Sequence, residues 1–238
     1  MAQLQGKVAV IIGGGSGIGK GIARAFAQEG CCLVLAGRSA ERLRQAAEEF
    51  APLGAQILTA PVDCTDEAQV KQLFQDALAR FGRVDILVNS AGAFDGGPID
   101  EISLQAWQRV MDTNVTAAFL CTREVFPIMK ANGGGRILNI GSISAQHSRE
   151  NMAPYTTSKF AIWGLTQASA LDGRDYGIAV SCLHPGNTLV ERRAGETEPM
   201  MSTEDIARVA LLMATLPPEV NMLESIVLPV TQKYLGRG

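Results

Sequence analysis

Residues 7–30 read KVAVIIGGGSGIGKGIARAFAQEG. A short β-rich run at 7–12 ends in a cluster of glycines. Ile18, Ile22, Ala25 and Phe26 then recur at helical spacing, and Gly30 is a plausible helix stop. A strand, a glycine loop and a helix in immediate succession form the place where a pyrophosphate meets a helix N-terminus. Backbone N–H groups and the positive end of the helix dipole face the anion there. The spacing is G-x-x-x-G-x-G at Gly13, Gly17 and Gly19, not the strict G-x-G-x-x-G. A bland turn also uses glycine, so the loop gains its weight from its position in the chain.

Working outward, short apolar runs alternate with amphipathic stretches. Further strands are expected at 31–36, 56–61, 85–89, 136–140, 179–184 and 225–230. Helices are expected at 18–29, 40–50, 67–81, 155–176 and 203–214, and 104–129 reads as one long, mostly helical stretch. The strands are continuous apolar runs, as doubly buried strands are. Strand–helix alternation without a long break means crossover connections and a parallel sheet covered on both faces. No Pro/Ser-rich linker and no repeat interrupts it. The expectation is one α/β domain over 1–238, doubly wound, with a mostly seven-stranded parallel sheet.

Composition narrows the function. The chain has 238 residues, a net charge of -3 and 19% charged residues, which argues against a nucleic-acid partner. No apolar run reaches membrane-spanning length, and the first residues lack the pattern of a signal peptide, so a cytoplasmic protein is expected. Five cysteines with no C-x-x-C suggest reduced thiols, and two histidines leave little room for a histidine-based metal site. The 25 glycines exceed the usual share and suggest tight turns or close backbone approach to a ligand.

The loop members Gly13, Gly15, Ser16, Gly17, Ile18 and Gly19 are therefore candidates for dinucleotide binding. At the end of the second strand, Gly37 stands where an acid would accept bonds from ribose hydroxyls, and Arg38 follows. An arginine there can pair with a 2′-phosphate, which favours NADP(H) and leaves NAD(H) open. Asp63, with Cys64 beside it, could accept a hydrogen bond from adenine; its other reading is a cap on the following helix. Tyr155 and Lys159 are four apart on a helix and share a face. A phenol titrates near about 10, and a nearby ammonium lowers that value. Ser142 follows the fifth strand, at the carboxyl edge where open α/β sheets bind ligands.

Taken together, the chain resembles the short-chain dehydrogenase/reductases. The resemblance rests on Gly13, Gly17 and Gly19, on Asn89-Ser90-Ala91-Gly92, on Asn114, on Ser142 thirteen residues before Tyr155, on Tyr155-x-x-x-Lys159, and on Pro185-Gly186. These fall in the family's order. The resemblance implies a Rossmann-like fold and direct hydride transfer between a nicotinamide and a carbonyl or alcohol substrate. Tyr155 would be the general acid/base, Ser142 would polarise the carbonyl, and Lys159 would bind the nicotinamide ribose and lower the tyrosine pKa. Asn114 would hold a water that links Lys159 to solvent. Asn89, Ala91, Gly92, Pro185 and Gly186 would border the cofactor; Val190 stands where the family often has a threonine, and Thr188 is the nearer hydroxyl for the carboxamide. No metal is implied, and a homodimer or homotetramer is. Phe160, Ile162 and Trp163 suit such an interface or the core equally. Ile12 and Ser90 depart from the family's usual threonine and asparagine.

The segments 93–98, 143–153 and 187–202 should face the substrate, the last as a lid. Arg192 or Arg193 could grip a carboxylate or phosphate, but a solvated lid is the favoured reading. His147 is near enough to line the pocket, although a loop histidine without chemical duty is favoured. His184 reads as structural. Two alternatives stay open: an NAD-preferring dehydrogenase of the same family, and a non-catalytic dinucleotide-binding sensor.

Overall fold

The computed structural model describes residues 2–193, 195 and 197–233. Seven parallel strands form one sheet: β1 (Val8–Ile12), β2 (Cys32–Gly37), β3 (Ile57–Pro61), β4 (Ile86–Asn89), β5 (Gly135–Ile140), β6 (Ile178–Pro185) and β7 (Glu224–Val227). Their order is β3-β2-β1-β4-β5-β6-β7. The chain leaves β1 toward one edge and returns to start the other half at β4. Ile12 therefore pairs with Ala36 on one side and Asn89 on the other. That reversal opens a crevice beyond the strand ends.

The helices are α1 (Gly17–Gln28), α2 (Ala40–Phe50), α3 (Glu67–Phe81), α4 (Leu104–Met111), α5 (Ala117–Ala131), α6 (Ala153–Gly173) and α7 (Thr203–Thr215). Strand alternation divides the core. Ala9, Ile11, Leu33 and Leu35 face Ile22, Phe26, Phe50 and Met213 on one side. Val10, Ile12, Val34 and Leu87 face Val70, Phe74, Val125 and Met129 on the other. Burying each large side chain contributes roughly 1.5–3 kcal/mol, so both faces stabilise the sheet.

Two expectations need correction. The stretch 104–129 is not one helix, because Asp112–Thr116 forms a π-helical turn between α4 and α5. The wider turn keeps the backbone helical while shifting the face on which Asn114 sits. The last strand stops at Val227 instead of running to 230. Gly186 N donates to Val227 O at 2.7 Å, and Gln232 N turns back onto Pro229 O. Pro229 has no N–H to continue a ladder. Ile162 belongs to the core, packed with Ala118 and Cys182, while Phe160 is exposed.

Candidate active site

The carboxyl ends of the strands border a cleft of about 1160 Å³. At one end lies the glycine loop. Gly13 has φ +79, and a Cβ there would come within 3.0 Å of the Ser90–Ala91 backbone, so only glycine lets the two loops approach. A Cβ on Gly19 would collide with Gly13 O. Gly19 thus shapes the loop from behind and is not on the cleft wall, whereas Gly13, Gly15, Ser16, Gly17 and Ile18 are. Ser16 is the N-cap of α1, yet its side chain makes no capping bond and no acid sits in the first turn. The first N–H groups of α1 therefore lack a side-chain cap, a setting suited to a phosphate.

The wall continues through Gly37, Arg38, Asp63 and Cys64. A Cβ on Gly37 would meet nothing nearer than Leu43 at 4.0 Å, so packing leaves room there. Arg42, in the first turn of α2, borders the same end. Asp63 does not cap α3; Asp66 does, accepting from Ala68 N and Gln69 N. Asp63 accepts instead from Thr65 N at 3.0 Å and Thr65 Oγ1 at 2.8 Å. Those bonds, with Arg38 adding to them, hold its carboxyl below the usual range.

At the other end are Ser142, Tyr155 and Lys159, with Ala91, Gly92, Pro185, Gly186 and Thr188 between. Ser142 Oγ accepts from Ser144 N at 3.1 Å. A hydroxyl bonded in that way retains its proton to donate. His184 is fully buried behind it, with Nδ1 2.8 Å from Ser142 O and 3.2 Å from Ser142 N. Either tautomer therefore bonds the backbone of Ser142, while Trp163 packs edge-on against the ring. Burial holds the His184 pKa below its ordinary value. Lys159 is 5% exposed, and its Nζ donates to Ile140 O at 2.9 Å. The same Nζ lies 5.5 Å from the centroid of the Tyr155 ring. Phe94 covers that ring from the opposite loop, centroid to centroid 5.1 Å.

Asn114 lies behind the wall. Its Oδ1 accepts from Ala93 N, and its Nδ2 donates to Ala93 O at 3.0 Å and Ser158 Oγ at 2.9 Å. Ser158 Oγ in turn donates to Tyr155 O at 2.7 Å. The π turn thus ties the loop after β4 to the first turns of α6. Asn89 also faces inward, donating to Asn139 Oδ1 at 2.8 Å and Thr122 Oγ1 at 3.3 Å. Both asparagines border a second, small cavity of about 10 Å³ with Ile140 and Thr113.

The segment after β6 crosses the mouth of the cleft. Thr188 pairs with Met201, and Val190 sits 3.4 Å from where a Gly17 Cβ would be. Arg193 lines the cleft and bonds Asn187 and Glu198, so it is not a merely solvated lid residue. The Arg192 side chain lies outside the described residues. His147 is exposed and does not line the cleft. Arg149 and Met152 from 143–153 and Asn187 from 187–202 do line it, and so does Arg109, which lies outside the expected segments. Among the described residues no group of three or more His, Cys, Asp or Glu is placed to hold a metal, and no helix is long and apolar enough to cross a membrane.

A family model described as short chain dehydrogenase matches residues 7–200. The oxidoreductase YxjF of Bacillus subtilis, itself named as uncharacterized, is 33% identical over 230 residues, which are 96% of this chain and 85% of the relative. Among solved structures, L-sorbose reductase from Gluconobacter frateurii, complexed with NADPH and L-sorbose, superposes with a TM-score of 0.90 at 28% identity, covering 96% of this chain and 98% of that one. A 7α-hydroxysteroid dehydrogenase complexed with NADH and 7-oxo glycochenodeoxycholic acid superposes with a TM-score of 0.88 at 32% identity, covering 94% and 93%.

Proposed function

The chain belongs to the short-chain dehydrogenase family of oxidoreductases acting on CH–OH donors, and from that premise we propose that it interconverts a carbonyl and a secondary alcohol with NADP(H), Tyr155 serving as general acid/base. One observation carries the reading: Ser142, Tyr155 and Lys159 share a cleft with the uncapped N-terminus of α1. The residues fit a nicotinamide dinucleotide, because the loop glycines permit close backbone approach and Gly37 leaves open space at the strand end. When bound, the nicotinamide supplies or accepts the hydride.

In the reductive direction Tyr155 gives its phenolic proton to the substrate oxygen while the carbon gains hydride. Ser142 donates to the same oxygen and holds it in place. Lys159 places positive charge beside the phenol and offers donors to ribose hydroxyls. Asn114 fixes the loop and α6 relative to each other. A water-holding role for Asn114 is supported by the small cavity it shares with Ile140, whose carbonyl accepts from Lys159; its volume suits about one water centre.

The NADP(H) preference is supported by the absence of an acid at Gly37 and by Arg38 and Arg42 at that end of the cleft. The hydroxysteroid dehydrogenase complexed with NADH keeps the NAD reading in play. Residues 187–202 act as the lid in this reading. Phe119, Phe160 and Leu171 are exposed on α5 and α6, a surface suited to a second copy in a homodimer or homotetramer.

The test is steady-state turnover of a panel of ketones, oxo acids and sugars with both dinucleotides. Tyr155→Phe should lower kcat by about a thousandfold while dinucleotide Kd stays within about twofold. Full turnover in that variant removes the tyrosine role. Arg38→Ala should weaken NADPH by about tenfold and leave NADH unmoved; equal affinities before and after remove the NADP preference.

A further inference from the structure

Proton and hydride transfer do not require a second charge pattern on the cleft wall. Arg149, on the segment leading into α6, and Arg193, in the helical turn Glu191–Arg193 of the lid, converge on one carboxylate. Arg149 Nη1 is 3.5 Å and Arg193 Nη2 is 3.6 Å from Glu198 Oε2. Asn187 Nδ2 donates to the same oxygen at 2.7 Å. Both guanidiniums also donate to Asn187 Oδ1, at 3.2 and 2.9 Å. One amide donor and two guanidiniums at ion-pair distance, from the approach to α6 and from the lid, therefore surround one oxygen. Arg109, elsewhere on the wall, pairs with Asp95.

The donors and the acceptor are held differently. Asn187 is 3% exposed, and its N–H donates to Gln232 Oε1 at 2.8 Å directly after Pro185-Gly186. The Arg193 side chain is 16% exposed. Arg149 and Glu198 are the more open partners, at 36% and 40%, Glu198 on a lid segment outside regular structure. Ion pairs this exposed add little to stability. Two arginines and a buried amide aimed at one carboxylate, on the wall that also carries Tyr155, match the recognition of a carboxylate ligand.

We propose that Arg149, Arg193 and Asn187 bind the carboxylate of an acidic substrate in the place Glu198 takes here, so that the enzyme acts on hydroxy acids and the corresponding oxo acids. The inference rests on the carbonyl–alcohol reading and narrows its substrate class. Glu198 keeps the two arginines together until a substrate carboxylate replaces it. A neutral sugar or an apolar ketone offers nothing to exchange for Glu198.

The test pairs pyruvate, acetoacetate and laevulinate with their methyl esters, each with NADPH and NADH. The acid should exceed its ester by about tenfold or more in kcat/KM. The double variant Arg149→Met, Arg193→Met should raise KM for the acid by about tenfold or more and lower the acid-to-ester ratio of kcat/KM by a similar factor. Glu198→Gln should lower KM for the acid. Calorimetric binding of the same acids to dinucleotide-loaded protein gives a readout independent of turnover. An ester preference in the parent enzyme, an acid-to-ester ratio unmoved by the arginine substitutions, or no acid binding while neutral ketones are reduced overturns the proposal. Dinucleotide binding with no carbonyl of either charge reduced removes the catalytic reading instead, and the calorimetry then decides the carboxylate site by itself.

Discussion

Helices α1 and α7 lie side by side on one face of the sheet, so close that a Cβ on Gly21 would fall 2.8 Å from Thr203 Cβ. Their first turns are finished in opposite ways. At α7, Ser202 Oγ accepts from Asp205 N at 3.1 Å, and Ser202 N donates to Asp205 Oδ2 at 3.1 Å. Glu204 and Asp205 add negative charge where the dipole is positive. At α1, Ser16 makes no such bond and the first turn holds no acid. Two neighbouring helix ends thus differ in what completes them: α7 is satisfied by its own side chains, and α1 is left to be satisfied from the cleft. A missing cap costs about 1 kcal/mol, so α1 forgoes stability that α7 retains.

The contrast can be broken at several points. Gly19→Ala should have the largest effect, since its Cβ collides with Gly13 O. Strain of about 2–3 kcal/mol would open the loop and weaken dinucleotide binding by roughly thirtyfold or more, read by fluorescence titration. Unchanged affinity would mean that the loop does not need its closed shape. Ser16→Asp would give α1 the carboxylate it lacks. The free protein should gain up to about 1 kcal/mol, seen as a higher Tm, while dinucleotide affinity falls by about tenfold through repulsion of the phosphates. A rise in both quantities would contradict a phosphate at this helix end. Ser202→Ala should have the smallest reach. It removes the α7 capping box, lowers stability by about 1 kcal/mol in denaturant melts, and leaves dinucleotide Kd within about twofold. A large loss of affinity there would mean that the two helix ends are not independent.

Local signals made most of the architecture legible. The spans Ala40–Phe50 and Asp66-capped Glu67–Phe81 follow directly from a cap, a 3.6 period and, for the second, Gly82 at φ +76. Five turned residues of π-helix at Asp112–Thr116 left no visible mark, because the apolar period around them hardly changes over so short a span. The resemblance located Ser142, Tyr155 and Lys159 but not the buried imidazole of His184 on the Ser142 backbone. Asn89 and Asn114 were legible as positions, not as directions: polar side chains at the end of β4 and in the π turn can each turn to ligand or core, and here both turn inward. Arg42 carried no such signal, because it lies in the first turn of α2 while Arg38 precedes the N-cap Ser39, and no helical spacing links them.

By itself the sequence determined the order of elements, the parallel sheet and the glycine loop, because capping, periodicity and crossover connections act through neighbours along the chain. Only the tertiary structure decided that Arg149, Asn187, Arg193 and Glu198 meet. They come from different segments, and their association depends on how the strand ends bring the approach to α6 and the lid to one mouth. Charge attraction carries no register in a sequence; it acts through space, so its partners are known only once the chain is folded.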